Sequence, residues 1–307
     1  MNFFSDYFLE STRLDEVQAV WLAKKGIQLK VLRLDMMHPD LGGNKWFKLK
    51  RNLKEATKQQ KETILSFGGA YSNHLRSLAA AGNIFGINTI GFVRGEIPNP
   101  LNPVLKFAHD NGMGLVPIDR KTYRLKTTQE FLTHIKDRYK DPYIIPEGGN
   151  NWLGVAGAAE IVDLLPPVTR MKRIITIACG TGATVSGLIL GLVAREIKKT
   201  EILGISVLNA PGLIAKQVKQ YLHPEKQTTT NVNWKIEDRF HCGGYAKINS
   251  ELESFLSSWK TDSEIPIEAV YTGKLFWGLR SLIEQGAIEK GSEVIAIHSG
   301  GIFRDVI

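Results

Sequence analysis

At 307 residues, 43% of them hydrophobic, the chain can bury a large core and form one or two domains. Its 39 Lys and Arg exceed 31 Asp and Glu, for a formal charge of +8, yet the cations are scattered, without a basic block or an interleaved aromatic stripe. That pattern argues against a nucleic-acid surface and leaves a solvated exterior with some attraction for small anions. Cys179 and Cys242 have neither metal-ligand nor redox-pair spacing, so no metal site is expected and a reducing, cytoplasmic setting is. Met1–Asp6 lacks a cationic segment ahead of an apolar one, so no signal peptide is expected. From Ile174 to Ala194 there is no charge, but Gly180, Gly182, Gly187 and Gly191 interrupt the stretch, which reads as a strand, a tight loop and a buried helix instead of a membrane span.

In chain order, a helix-like N-terminal piece precedes a strand near Ile27–Leu34 and a loop at Lys45. Strands are expected at Thr63–Phe67, Asn88–Val93, Gly114–Ile118 and Tyr143–Ile145, with helices at Asn73–Ala81, Asn102–Asn111 and Gln129–Tyr139 between them. Beyond Glu147–Asn151 come helix Val155–Leu165, strand Arg173–Ala178, helix Thr184–Ile197, strand Ile202–Val207 and helix Pro211–Tyr221. A surface loop at Pro224–Asn233 leads to a helix from a Ser250 cap to Lys260, strand Ile267–Tyr271, helix Lys274–Gln285 and strand Glu293–His298. Strands alternating with helices of this length imply an α/β protein with two open, mostly parallel, twisted sheets. Residues 1–50 and 151–307 are expected to form the larger domain and 51–150 the smaller.

The chemistry is expected at strand ends. In Gly42-Gly43-Asn44-Lys45 two glycines precede a lysine and an amphipathic run; Lys45 points into a cleft or is one more surface cation. In Cys179-Gly180-Thr181-Gly182-Ala183-Thr184, glycine amides and a helix N-terminus make either a phosphate cradle or a bare βα turn. Val185 stands where a dinucleotide fingerprint needs its third glycine. Ser72-Asn73-His74, following Gly68-Gly69, offers helix caps or site side chains. Gly243-Gly244-Tyr245, Tyr271-Thr272-Gly273-Lys274 and His298-Ser299-Gly300-Gly301 complete the set. Turn chemistry alone accounts poorly for all of them together.

In this order and at these separations, the motifs resemble the 1-aminocyclopropane-1-carboxylate deaminase / D-cysteine desulfhydrase family of pyridoxal-phosphate enzymes, from about residue 30 to residue 303. The resemblance implies a tryptophan-synthase-β-like fold (fold type II), with the cofactor between the two domains, and a homodimer. It implies that Lys45 carries the cofactor aldehyde, Asn73 bonds the ring hydroxyl, and Gly180, Thr181, Gly182, Ala183 and Thr184 hold the phosphate. Thr272 or Ser299 would face the pyridine nitrogen. Asn44, Ser72, His74, Tyr245 and Tyr271 would meet the substrate, with Lys45, Ser72, Tyr245 and Tyr271 taking part in catalysis.

Deaminases of this family typically read Ser-Asn-Gln and Tyr-Glu-Gly; His74 and Thr272 at those positions match the desulfhydrase branch instead. A hydroxyl at the ring nitrogen makes a weaker electron sink than a carboxylate, which favours prompt elimination. The expected reaction is therefore αβ-elimination of D-cysteine to pyruvate, sulfide and ammonia. Ring opening of 1-aminocyclopropane-1-carboxylate is the alternative, and a non-catalytic cofactor- or nucleotide-binding protein the alternative of another class. Trp46-Phe47 in place of the usual Thr-Arg, Asn150 after Gly148-Gly149 and Ala183 in the phosphate loop depart from the family pattern.

Overall fold

The computed structural model describes residues 12–222 and 231–302. Its strands are β1 (Leu14–Val17), β2 (Gln28–Arg33), β3 (Thr63–Gly68), β4 (Asn88–Arg94), β5 (Gly114–Ile118), β6 (Tyr143–Ile145), β7 (Arg173–Cys179), β8 (Thr200–Ser206), β9 (Trp234–Glu237) and β10 (Glu293–His298). Its helices are α1 (Val20–Lys25), α2 (Asn44–Lys58), α3 (Asn73–Phe85), α4 (Pro103–Asp110), α5 (Arg120–Tyr123), α6 (Gln129–Arg138), α7 (Trp152–Ala158), α8 (Ala183–Ala194), α9 (Leu213–Tyr221), α10 (Ser250–Asp262) and α11 (Thr272–Glu284). The strands form two open sheets, in the orders β1-β2-β10-β7-β8-β9 and β5-β4-β3-β6. Every pairing is parallel except β1 with β2.

The central strands are apolar on both faces, as parallel strands covered by helices must be. Along β7, Ile175, Ile177 and Cys179 join the core shared with α2, α3 and α8, while Ile174 and Ala178 turn to the core under α1, α10 and α11. Ile295 and Ile297 against Val294 and Ala296 repeat this alternation on β10. Phe67, Phe92, Tyr123 and Ile135 close the far face of the four-stranded sheet.

The uncharged stretch resolves into β7, a turn and α8. No helix among the described residues is long and apolar enough to cross a membrane. The glycines of α8 have a packing role: a Cβ on Gly187 would stand 2.6 Å from Ala158 Cβ, and one on Gly191 2.4 Å from Ala159 O. On α7, a Cβ at Gly157 would stand 1.9 Å from Phe47 O, so this glycine lets α7 lie directly on the lysine-bearing α2. Gly157→Ala is therefore expected to lower stability by about 2–3 kcal/mol, the upper range for overpacking a core. The midpoint of denaturant unfolding checks this, and an unshifted midpoint would show that α2 and α7 separate freely.

Two parts of the sequence expectation need correction. Ile267–Tyr271 is not a strand: the Glu268 carboxylate accepts the N–H groups of Val270, Tyr271 and Thr272 at 2.6–2.8 Å, spending the donors a ladder would need. The expected loop at Lys45 is the first turn of α2. Strands β1 and β9 and helix α5 were not anticipated, and the helix expected to reach Leu165 ends at Ala158 and continues as 3₁₀ turns over Ala159–Leu164. The loop expected at Pro224–Asn233 lies mostly outside the described residues. The division placed at residue 50 falls within α2.

Candidate active site

Helix α2 begins where the end of β10 meets it. Gly43 takes φ 83°, a Cβ on it would stand 2.4 Å from Ser299 O, and one on Gly300 would stand 3.1 Å from Gly43 Cα. Asn44 N donates to Ser299 O at 3.1 Å, locking the first turn of α2 to the Ser299–Gly301 loop. The two glycine pairs thus serve one contact, a backbone approach that leaves no room for side chains.

From that turn Lys45 Nζ donates to Asn44 Oδ1 at 2.9 Å, and Asn44 Nδ2 donates to Thr184 Oγ1 at 3.0 Å. Asn44, buried, therefore ties the lysine to the 180–184 loop. Burial pushes the Lys45 ammonium down to about 8, against the opposing pull of Glu268. One turn on, the buried Lys48 points its Nζ at Thr181 Oγ1, 3.4 Å away. Burial first, then the charge of Lys45, holds Lys48 well below the usual lysine range.

The 180–184 loop is built as a cradle. Gly182, at φ 75°, caps α8, and Gly180 lies against Tyr271, whose hydroxyl would be 3.3 Å from a Cβ there. Gly148 and Gly149 wall it opposite: a Cβ on the first would meet Thr181 Cγ2 at 3.2 Å, and one on the second Lys48 Cβ at 3.1 Å. Two poorly compensated lysines beside open amides and a helix N-terminus are a site for an anion.

Ser72 Oγ caps α3, accepting from Leu75 N at 3.3 Å, and Asn73 reaches the far glycines, its Nδ2 2.9 Å from where a Gly301 Cβ would be. His74 is buried beneath them. Ser66 Oγ donates to Ile145 O at 2.7 Å and therefore receives the His74 Nε2–H at 2.9 Å. Its Nδ1 keeps a lone pair with no hydrogen-bond partner. Burial, with Lys48 and Lys45 nearby, holds this imidazole neutral. Tyr245 and Tyr271 pack edge to face, centroids 5.8 Å apart, and Lys45 Nζ stands 5.8 Å from the Tyr271 ring centre. Burial, then Tyr245 and the carboxylates Glu268 and Glu147, raise the Tyr271 phenol well above its ordinary value.

Thr272 is wholly buried. Its Oγ1 accepts from Glu268 N at 2.8 Å and lies 3.1 Å from Glu268 Oε1, so its hydroxyl is engaged within its own turn. Ser299 has no side-chain hydrogen bond of this kind among the described residues. A lysine that gives up its proton more readily than usual, beside a glycine-rich anion cradle with an asparagine and tyrosines around it, suits an aldehyde cofactor that carries a phosphate.

A family model for pyridoxal-phosphate dependent enzymes matches residues 16–300. The chain belongs to this family. A Pyrococcus abyssi protein with the provisional name 1-aminocyclopropane-1-carboxylate deaminase is 31% identical over 291 residues, 90% of this chain and 85% of its own length. The mitochondrial bifunctional D-cysteine desulfhydrase/1-aminocyclopropane-1-carboxylate deaminase of Arabidopsis thaliana is 28% identical over 298 residues, 90% of this chain and 73% of its own. The crystal structure of a 1-aminocyclopropane-1-carboxylate deaminase homologue superposes with a TM-score of 0.79 at 27% identity, covering 95% of this chain and 90% of the other. The fold is thus that of the fold type II pyridoxal-phosphate enzymes, and the nucleotide-binding alternative is set aside.

The residues present fit pyridoxal phosphate: the cradle and Lys48 offer donors to a phosphate, and Lys45 an amine to an aldehyde. Sequence reasoning missed Lys48 and Glu268. Lys48 was legible as the position one turn beyond Lys45 on the same helix face. Glu268 was legible as an acid just ahead of a helix start.

Proposed function

We propose that this enzyme releases ammonia from a small amino acid, with ring opening of 1-aminocyclopropane-1-carboxylate to 2-oxobutanoate as its leading reaction. The observation that carries this reading is the Glu268 carboxylate, which bonds Thr272 and packs toward Gly301, itself against Asn73. Deaminases of the family carry a glutamate at the position of Thr272. In this chain the anion comes from four residues upstream, so the negative charge is retained although the residue at 272 differs. The names of relatives lean the same way. D-cysteine elimination is the second reading, favoured by Thr272 and His74 standing where the deaminases have Glu and Gln.

Bound pyridoxal phosphate supplies the electron sink for bond breaking at the substrate Cα. Lys45, poised near neutrality, offers its lone pair to the aldehyde and afterwards carries protons at Nζ. Gly180–Thr184 and Lys48 hold the phosphate, Asn73 the ring hydroxyl, and Ser299, with its hydroxyl uncommitted, the ring nitrogen. Tyr271 remains a phenol at neutral pH and offers its O–H as a hydrogen-bond donor at the substrate side. Ser72 and Asn44 orient the substrate near Lys45. His74 supports the site from below Gly149 instead of touching substrate. The cofactor would lie between the unit built on the four-stranded sheet and the one built on the six-stranded sheet.

The test is the holoenzyme with 1-aminocyclopropane-1-carboxylate and with D- and L-cysteine, assayed for 2-oxobutanoate, pyruvate, sulfide and ammonia. Wild type should yield 2-oxobutanoate, and Glu268→Gln should reduce that yield about tenfold or more, because one pKa unit at the ring is worth about 1.4 kcal/mol. Sulfide from D-cysteine without 2-oxobutanoate would establish the second reading, and no keto acid from any substrate would reject both.

A further inference from the structure

Lys274 is wholly buried, in the first turn of α11, where the helix dipole disfavours a cation. Among the described residues no carboxylate lies within ion-pair distance of it. Its Nζ donates instead to two backbone carbonyls, His241 O at 2.8 Å and Gly244 O at 2.7 Å. Those carbonyls belong to a strained turn: Cys242 and Ala246 take φ 54° and 56°, and Gly243 and Gly244 take 90° and 134°. Left-handed angles at two non-glycine residues around a glycine pair persist only where surroundings enforce them. The turn's own bonds, Gly244 N to His241 O at 3.0 Å and Lys247 N to Gly244 O at 3.1 Å, end on the same two carbonyls. At its tip Tyr245 meets Tyr271, which stands beside Lys45 and Gly180.

We infer that Lys274 is a positioning residue: its ammonium clamps the 241–244 turn and so holds Tyr245 against Tyr271 at the substrate side of the site. A buried cation in an unfavourable place is retained because the turn it holds would otherwise relax and withdraw the tyrosine. Two accepting carbonyls also take up the Lys274 Nζ, which separates it from Lys45 as an amine for the aldehyde. The inference rests on the reading that Tyr245 and Tyr271 line the substrate side.

The test uses holoenzyme carrying Lys274→Met, which removes the donors and keeps the length. KM for the better of 1-aminocyclopropane-1-carboxylate and D-cysteine should rise about tenfold, with a smaller change in kcat, as expected when an orienting contact is misplaced. Trypsin should cut faster after the exposed Lys247, well below the unfolding temperature, because the turn is released. Borohydride should still fix one pyridoxyl group on Lys45. Added to Tyr245→Ala, Lys274→Met should raise KM no further; an additive rise would overturn the inference. If Lys274→Met does not fold, Gly244→Ala, which strains the same turn at φ 134°, carries the same expectations. Wild-type KM and wild-type cleavage in the folded variant overturn the clamp. Loss of the Lys45 label from wild type would instead sink the underlying cofactor reading.

Discussion

Lys45→Ala should abolish the borohydride-reducible attachment of pyridoxal phosphate and lower turnover by about a thousandfold or more, since one residue supplies both the amine for the aldehyde and the proton carrier at Cα. The fold should survive, because Lys45 is half-buried and its side-chain hydrogen bond is to its neighbour Asn44. Three other lysines nearby are disqualified by what they touch. Lys50 is paired with Glu160, Lys274 is held by two carbonyls, and Lys48 points to Thr181 on the phosphate side. Peptide mapping of reduced wild type should therefore place the pyridoxyl group on Lys45, and a label on any of the other three rejects the assignment. The pH dependence follows from the same geometry. Only the neutral amine reacts, and burial brings Lys45 down to about 8. Labelling of apoenzyme at limiting cofactor should rise about tenfold per pH unit below that value and level off above it. A profile still rising at pH 10 would mean that Lys45 keeps an ordinary lysine's proton affinity.

The alternation of strands and helices was legible because parallel strands and their crossover helices write contrasting patterns: β3, β4, β5, β6, β7 and β10 all lie within a residue or so of the expected ranges. Ile267–Tyr271 misled because its β-branched and aromatic residues carry strand propensity, while the deciding event is a side-chain carboxylate capturing three amides. Strand β9 was hidden for another reason. Trp234–Glu237 is a short strand that, among the described residues, lies at the sheet edge beside β8, so it carries little of the two-sided apolar signature.

The site shows the same division. Glycine pairs followed by polar residues could be read as loops that serve a ligand, since a left-handed or crowded backbone leaves its mark in residue type. Partnership across the fold leaves no such mark. Asn44 bonding Thr184 spans 140 positions, and Glu268 and Asn73 both flank Gly301 only because α11, β10 and α3 converge. Thr272 shows the cost of reading residue type alone: the hydroxyl considered for the ring nitrogen is engaged by Glu268, a carboxylate the motif does not contain. Burial has a similar effect on His74. Expected from the resemblance at the substrate, it packs under Gly149 with its Nε2–H directed to Ser66.

Gly182→Val should weaken pyridoxal-phosphate binding by roughly ten- to a hundredfold, through conformation more than through lost contacts. Gly182 holds φ 75° and ψ −20°, where a β-branched residue pays roughly 1–2 kcal/mol merely to stand. Its Cβ would also fall 3.4 Å from Gln217 Cβ and 3.6 Å from Ile214 O, so the turn has little room to yield toward α9. The backbone must then rotate toward the ordinary helical or extended region, turning the amides at the start of α8 away from the cradle. Because Ser186 Oγ and Ser186 N both donate to Gly182 O at 2.9 Å, that rotation also loosens the first turn of α8. Gly182→Ala should show the same effect in weaker form, since it lacks the branched carbon. Equilibrium dialysis of apoenzyme against cofactor measures the affinity directly, and excess pyridoxal phosphate should restore part of the activity while Lys45 remains the labelled residue. Undiminished affinity in Gly182→Val would mean that the 180–184 loop is only a βα turn, leaving Lys48 to hold the phosphate from the other side.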